Sequence, residues 1–360
     1  MILIREIRVK IPHTEEALEK KLRRKLRVKD TVPLRYQIRK HSIDARKKPD
    51  LFDVYTVEVS LEEEKKVVSR LNDPNISIAE PEPVYVYPKA DFKEKQPVII
   101  GTGPAGLFCA YALIQMGARP LLVERGAPIE KRTDDVHAFW DGGEFKENSN
   151  VRFGEGGAGT FSDGKLTTMV RDLDGRHKEV LRILEHFGAP KSIRFEAQPH
   201  IGTDRLSKVV KNLREYIIRA GGEFRFYTEA VGIEVKDDQA GSRLTGLHLQ
   251  DTRTGEMEEI PCTRAVFAIG HSARDTFAML QEAGIKMEPK PFAVGVRIEH
   301  PQAMVNACQY GEKPDPALPP ASYKLTTKSK DGRGYIRSVC VPADPSSMHL
   351  PKPDASVSTG

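Results

Sequence analysis

VIIGTGPAGLFCAYALIQMGARPLLVERG, residues 98–126, decides the fold. Val98, Ile99 and Ile100 are the short apolar run that a buried parallel strand needs, and Gly101, Gly103 and Gly106 follow at once as GxGxxG. Each glycine has its own duty: a tight turn at Gly101, close approach of backbone N–H groups to a pyrophosphate at Gly103, and close packing of helix on strand at Gly106. Phosphates are favoured at the helix N-terminus, where N–H groups lack intrahelical partners and the helix dipole attracts negative charge. Leu121 to Val123 read as the second strand, and Glu124 ends it about 20 residues beyond the glycines, where a carboxylate can accept ribose hydroxyls. An acid there argues against a 2′-phosphate, so FAD or NAD is expected rather than NADP. A glycine-rich turn that binds nothing is the competing reading; the ordered strand, helix, strand and terminal acid argue against it.

Working outward, the chain from Gln96 onward alternates apolar strands with amphipathic helices. TDRLSKVVKNLREYIIRAGG places Leu206, Val209, Val210, Leu213, Ile217 and Ile218 on one helical face and ends at Gly221 and Gly222, as a helix C-terminus should. TRAVFAIG, residues 263–270, is another apolar strand, and the helix after it has Ser272 and Asp275 at capping-box spacing. Ahead of the glycine motif, residues 1–90 read as a separate basic module in the order βαββαβ, a ferredoxin-like split βαβ sheet closed by VYVYP. Residues 91–97, within PKADFKEKQP, are the expected linker.

A second glycine cluster, RFGEGGAGTFSDGKL, begins at Arg152 and holds Gly154, Gly156, Gly157, Gly159 and Gly164 among Ser162, Asp163 and Lys165. Such a loop exposes N–H groups in an anion-binding concavity, and Lys165 can offset phosphate or reduced-flavin charge; a flexible surface loop is the bland alternative. A nicotinamide domain has no need of this second loop, whereas FAD, which is longer and has a ring system to enclose, gives it a purpose.

In 360 residues, 39% of them hydrophobic, there is material for two or three ordinary domains. No apolar run approaches the ~18 residues of a spanning helix, and MILIREIRVK is charged where a signal peptide is apolar, so a cytoplasmic protein with no membrane partner is expected. The four cysteines are far apart and form no CxxC, so no metal site is expected. The net charge of +5 is concentrated in residues 1–50. A basic face of that kind binds RNA phosphates, although a solvated helix flank explains the same residues.

GTGPAGLFCAYAL, SNVRFGEGGAGTFSDGKL, PHIGTD, AIGHSARDTF and FAVGVRIEHPQ together resemble the bacterial FAD-dependent dehydrogenase-like proteins, of the NAD(FAD)-utilizing, two-dinucleotide-binding-domain flavoprotein class. The resemblance runs from the N-terminal module to about Gly334. It implies FAD as cofactor, with NAD(P)H as an electron donor, and an oxidoreductase (dehydrogenase or reductase) of a small-molecule substrate it does not name, with hydride transfer through the flavin. Carried over by residue, Gly101, Gly103, Pro104, Ala105 and Gly106 would hold the pyrophosphate, Glu124 the adenosine ribose, and Arg125 would lie beside the adenine. Gly156, Gly157, Gly159, Ser162, Gly164 and Lys165 would line the flavin; Val231 would meet adenine through its backbone, and Gly270 would end the strand resembling the class's ATG signature.

His271 and Arg274 follow Gly270 at a strand end, the side on which open α/β sheets bind ligands. They are the catalytic candidates, His271 for proton exchange and Arg274 for a carboxylate; the competing reading is that Ser272 and Asp275 cap the helix and these two satisfy nearby oxygens. His200, Arg297, Glu299 and His300 are further polar groups on apolar segments. The fold class so read is α/β, an FAD-binding Rossmann-like βαβ domain at 98–275 preceded by the small α+β ferredoxin-like module. An RNA-associated protein with a redox-sensing or vestigial flavin domain, and an NAD-only dehydrogenase, are the alternatives.

The C-terminus carries a last expectation. A nucleotide string encoding VYSFCMCPGGS, the continuation implied by the resemblance, gives YIRSVCVPADP when read one base later, and that is the text of residues 335–345. Residues 276–334 are therefore expected to begin an incomplete substrate domain, and 335–360 to be an out-of-frame, disordered tail.

Overall fold

The computed structural model describes all residues except 91, 93–95, 162, 163, 165, 167–169, 239, 240, 291–300, 329–334 and 341–360. The N-terminal module runs β1 (Ile2–Lys10), α1 (Glu15–Leu26), β2 (Arg35–Lys47), β3 (Asp50–Ser60), α2 (Glu64–Leu71), β4 (Ile76–Ile78). Its strands pair in the order β2-β3-β1-β4, every neighbour antiparallel. That is the order a βαββαβ unit makes when each helix returns the chain across one face. In β1, Ile2 and Ile4 point inward, yet so do Ile7 and Val9, which strict alternation would turn out. A bulge resolves the conflict: the register with β3 shifts between Ile4 and Ile7, and Glu6 takes φ +56°. One extra residue exchanges the two faces. Helix α1 buries Leu18, Leu22 and Leu26, spaced four apart on one stripe over the sheet.

The closing strand differs from the sequence reading. It is Ile76–Ile78, and VYVYP lies outside any strand, with Val84 and Val86 80% and 78% exposed. Alternation there reflects docking of one side of an irregular segment, since Tyr87 donates to Glu179 at 3.0 Å and packs on the next domain's core.

The larger unit contains β5 (Val98–Ile100), α3 (Pro104–Gln115), β6 (Leu121–Val123), α4 (Ile129–Trp140), α5 (Arg176–His186), α6 (Thr203–Arg219), β7 (Glu223–Arg225), β8 (Thr228–Asp238), β9 (Gly241–Asp251), β10 (Met257–Pro261), β11 (Ala265–Phe267) and α7 (Arg274–Glu282). Strands β11-β5-β6-β7 form a parallel sheet in that order, and β10-β9-β8 an antiparallel meander. From β5 the chain steps outward to β6 and β7, then returns to β5's other side as β11. Strand β5 is therefore the switch point, beside which a crevice opens at the carboxyl ends of the strands. Ile99 and Leu122 are fully buried, covered by Leu107, Ala110 and Tyr111 of α3 and by Val209, Leu213 and Ile217 of α6. Ile218, expected on the same face of α6, is 48% exposed at its edge.

Two further expectations change. Ser272 and Asp275 form no capping box: α7 begins at Arg274 with Ala273 as N-cap and no side-chain cap, because Asp275 is drawn to Arg125 instead. After α8 (Gln302–Tyr310), β12 (Tyr323–Lys328) pairs antiparallel with β13 (Tyr335–Cys340). Residues 335–340 are thus a strand rather than part of a disordered tail, their backbone groups taken up by β12; residues 341–360 lie outside the described residues. No helix among the described residues is long and apolar enough to cross a membrane.

Candidate functional site

Both glycine loops meet at the carboxyl end of β5. In the first, Gly101 has φ +99°, and a Cβ there would stand 2.6 Å from the Ala268 carbonyl oxygen beyond β11. At Gly106 a Cβ would stand 1.9 Å from the Gly101 carbonyl oxygen. Gly103 is different. Its φ is −67°, and a Cβ would meet only Gly157 Cα, at an ordinary 3.7 Å. Gly103 is the N-cap of α3, Pro104 occupies the first turn, and no side chain caps the helix. The N-terminus of α3, with Ala105 and Gly106 in its first turn, thus opens at a position where the protein itself has no need of a glycine.

The second loop lies against the first, backbone to backbone. Gly156 N–H donates to the Thr102 carbonyl at 2.9 Å, and a Cβ at Gly157 would be 3.1 Å from both Gly103 Cα and Pro104 Cδ. A fully buried arginine shapes this loop. Arg132 of α4 donates through Nε to Asn150 O (2.9 Å), through Nη1 to Glu155 O (2.6 Å) and Gly157 O (2.9 Å), and through Nη2 to Val151 O (3.0 Å). Burial pulls its pKa down to about 10, with the charges of Glu124 and Glu155 opposing. Gly154 passes so close that a Cβ would be 2.5 Å from Arg132 Cδ.

Glu155 is the loop's buried acid. One oxygen accepts from the N–H of Ile129, at the start of α4, at 2.7 Å and from Arg214 Nη1 of α6 at 2.5 Å; the other, Oε1, is buried without a partner. Burial pushes its pKa up to about 7 against the pull of Arg214. Sequence reading missed Arg132, Glu155 and Arg214. One signal was present: Arg132 shares a helical face with the buried Ile129 and Val136, where a cation stays only if it is fully hydrogen-bonded.

Glu124 is held by donors of the protein itself. Oε2 accepts from Thr102 N–H (2.9 Å) and Thr102 Oγ1 (2.8 Å), and Oε1 accepts from Gly126 N–H and Gly154 N–H, both at 3.0 Å. A carboxylate offers about four lone-pair sites, and the protein fills them, so Glu124 staples the two glycine loops together. Arg125 is 11% exposed and paired with Glu229 of β8 and, at 2.5 Å, with Asp275 of α7, its guanidinium stacked 4.6 Å over the Phe153 ring. Val231 sits where the β8–β9 register shifts between Ala230 and Gly232, so a bulge turns its backbone out of the ladder. Gly270 has φ +71°, and beyond it His271 and Arg274 are both exposed at the end of β11, His271 Nε2 lying 3.4 Å from Ser272 Oγ. His200 is exposed on the segment before α6, Gly159 has open space where a Cβ would go, and Gly164 meets Ile201. Ser162, Asp163, Lys165, Arg297, Glu299 and His300 lie outside the described residues.

Glu234, His248 and Glu259 sit side by side across the meander. The two carboxylates face opposite nitrogens of the imidazole, Glu234 at 3.8 Å from Nε2 and Glu259 at 3.3 Å from Nδ1. In the N-terminal module part of the basic charge is paired internally, as in Arg8–Asp44, Arg39–Glu58 and Lys25–Asp73.

Residues 291–342 match the family described as FAD-dependent protein, C-terminal domain-like, and residues 1–60 match a domain of unknown function. The first match continues past Gly334, where the resemblance drawn from the sequence stops. An uncharacterized protein of Clostridium beijerinckii is 41% identical over 342 residues, covering 94% of this chain and 62% of that protein. The chain thus spans under two thirds of that relative's length. Among solved structures, THI4 of Thermovibrio ammonificans is similar over 53% of this chain and 63% of that chain, at 20% identity and a TM-score of 0.37. The flavin-dependent monooxygenase PieE, solved with FAD and substrate, covers 54% of this chain and 32% of its own at 21% identity and TM-score 0.29. A flavoprotein/dehydrogenase from Cytophaga hutchinsonii covers 55% and 44% at 16% identity and TM-score 0.32.

Proposed function

We propose that this chain is the cofactor-holding part of an FAD-dependent oxidoreductase of Rossmann type, acting on a small-molecule substrate. One observation carries the reading: Gly101 and Gly106 are demanded by the protein's own backbone, but Gly103 is not. The space a Cβ would fill there lies at an uncapped helix N-terminus, the place a pyrophosphate takes. The residues present fit the group. Gly103, Pro104, Ala105 and Gly106 would take the pyrophosphate, Val231 at its bulge the adenine, and Gly156, Gly157 and Gly159 the flavin side. The family match over 291–342 supports FAD over a nicotinamide nucleotide alone.

FAD, when bound, supplies acceptance and return of a hydride. The chain's own part is to orient it and keep water away: Arg132 and Glu124 hold the second loop against the first, and Arg125 joins the sheet end to β8 and α7. His271 and Arg274, exposed at the carboxyl end of β11, are the groups to which a substrate proton and a substrate carboxylate are assigned. NAD(P)H is the proposed electron donor. Reconstitution tests the reading: purified chain incubated with FAD and desalted should be yellow and bleach on dithionite. A chain that stays colourless yet binds NADH would establish the NAD-only reading in its place.

A further inference from the structure

A strap, residues 195–201, connects the N-terminal module to the second glycine loop. At one end it bridges to β2: His41 N–H donates to Phe195 O at 2.7 Å, and Ala197 N–H donates to His41 O at 2.9 Å. At the other end Leu166 N–H donates to Pro199 O at 3.0 Å and Ile201 N–H donates to Gly164 O at 3.2 Å. Gly164 and Leu166 close the loop whose glycines touch Gly103.

The first end is locked by a half-buried cluster that neither the fold nor the cofactor site explains. His41 is held from both sides, Nε2 donating to Asp53 Oδ1 at 2.7 Å and Nδ1 to Glu196 Oε1 at 2.9 Å, with Tyr55 stacked on its ring at 4.7 Å. The groups facing it are therefore Asp53 and Tyr55 of β3 and Glu196 of the strap. His13, from the turn before α1, reaches Asp53 Oδ2 at 3.0 Å and Tyr55 OH at 3.2 Å. Burial works against a charge on His41, but the hydrogen bonds to Asp53 and Glu196 outweigh it, and the pKa is pushed up to about 9. At neutral pH the imidazolium therefore ties a carboxylate of the module to a carboxylate of the strap, and a neutral ring, with one N–H, can donate to one of them only.

We propose that His41 is a positioning residue: by clasping Glu196 it fixes the strap, and through Gly164 and Leu166 the strap fixes the second glycine loop, so that the N-terminal module controls how tightly the flavin is held. The control of affinity rests on the flavin reading above; the coupling of module to loop does not. A group with a raised folded pKa contributes fully below its unfolded value and loses the contribution as pH rises through the folded one. The clasp is thus complete below about 6.5 and released as pH passes about 9.

Two measurements on the full chain test it, using H41Q, E196Q and, as a control, Lys66→Ala, an exposed residue paired with Glu63 on the far part of the module. In hydrogen exchange without cofactor, H41Q and E196Q should each speed exchange of the Leu166 and Ile201 amides about tenfold or more, within the usual range of coupling between sites, and Lys66→Ala should leave them unchanged. In FAD titrations, H41Q should bind about tenfold more weakly than the wild type at pH 7, the gap closing above pH 9. Unchanged exchange in folded E196Q or H41Q overturns the coupling, whatever FAD does; should H41Q not fold, E196Q decides. Faster exchange with equal FAD affinity overturns control of the cofactor. A wild type that binds no FAD while exchange still responds overturns the flavin reading and leaves the coupling standing.

Discussion

At Gly101 and Gly106 an added Cβ would strike main chain, the carbonyls of Ala268 and Gly101; at Gly154 it would strike the side chain of Arg132, which comes from α4. The first loop is the product of strand, turn and helix following one another, and its shape is fixed wherever that βαβ unit forms. The second has no such scaffold. Its backbone follows a buried guanidinium that binds four carbonyl oxygens, the loop's own buried Glu155, which accepts from the first N–H of α4, and Glu124, whose four hydrogen bonds join it to its neighbour. The lesson is that a glycine-rich loop becomes a defined surface by either route, and the second route costs burial of charge.

Substitutions should separate the two routes. Gly106→Ala should be most damaging, because a Cβ 1.9 Å from a backbone oxygen has nowhere to go; a loss on the order of 4 kcal/mol, read by denaturant unfolding, is expected. Arg132→Met keeps the volume but leaves four carbonyls without their donor, at roughly 3 kcal/mol. Its loss should appear first as faster exchange and proteolysis in residues 150–160, with the β5-α3-β6 unit still folded. Simultaneous loss of both regions would break the contrast.

Glu155 gives an effect that depends on pH. Its pKa rises from 4.5 to about 7 on folding, so the folded state holds the proton more tightly than the unfolded one. The associated stability is full below about 4.5 and lost as pH rises through 7. Glu155→Gln should remove that slope, worth on the order of 3 kcal/mol between the two limits. A wild type equally stable from pH 4.5 to 8 would contradict the assignment of burial as its cause.

What could be read in the sequence follows the same division. The βαβ unit, the order of the N-terminal module and the face of α6 formed by Val209, Leu213 and Ile217 follow from periodicity and glycine spacing, which are local. Glu124 was located, but its hydrogen bond to Gly154 was not, since nothing near it in sequence announces a residue of the other loop. Arg132, Glu155 and Arg214 converge from α4, the loop and α6, and no local pattern brings them together; the bulge at Glu6 and the unpaired course of VYVYP likewise depend on tertiary packing. The clasp at His41 joins residues 155 positions apart, beyond the reach of any spacing argument.

The smallest expected change in stability belongs to the most direct test. Gly103 has a backbone conformation open to alanine and room for its methyl group, so Gly103→Ala should unfold at the same denaturant concentration as the wild type or gain up to ~1 kcal/mol from its stiffer unfolded chain. If the space at α3 belongs to a pyrophosphate, the same variant should lose FAD, measured as the perturbation of flavin absorption on titration, by a hundredfold or about 2.7 kcal/mol. Undiminished FAD affinity in a stable Gly103→Ala chain would contradict the account.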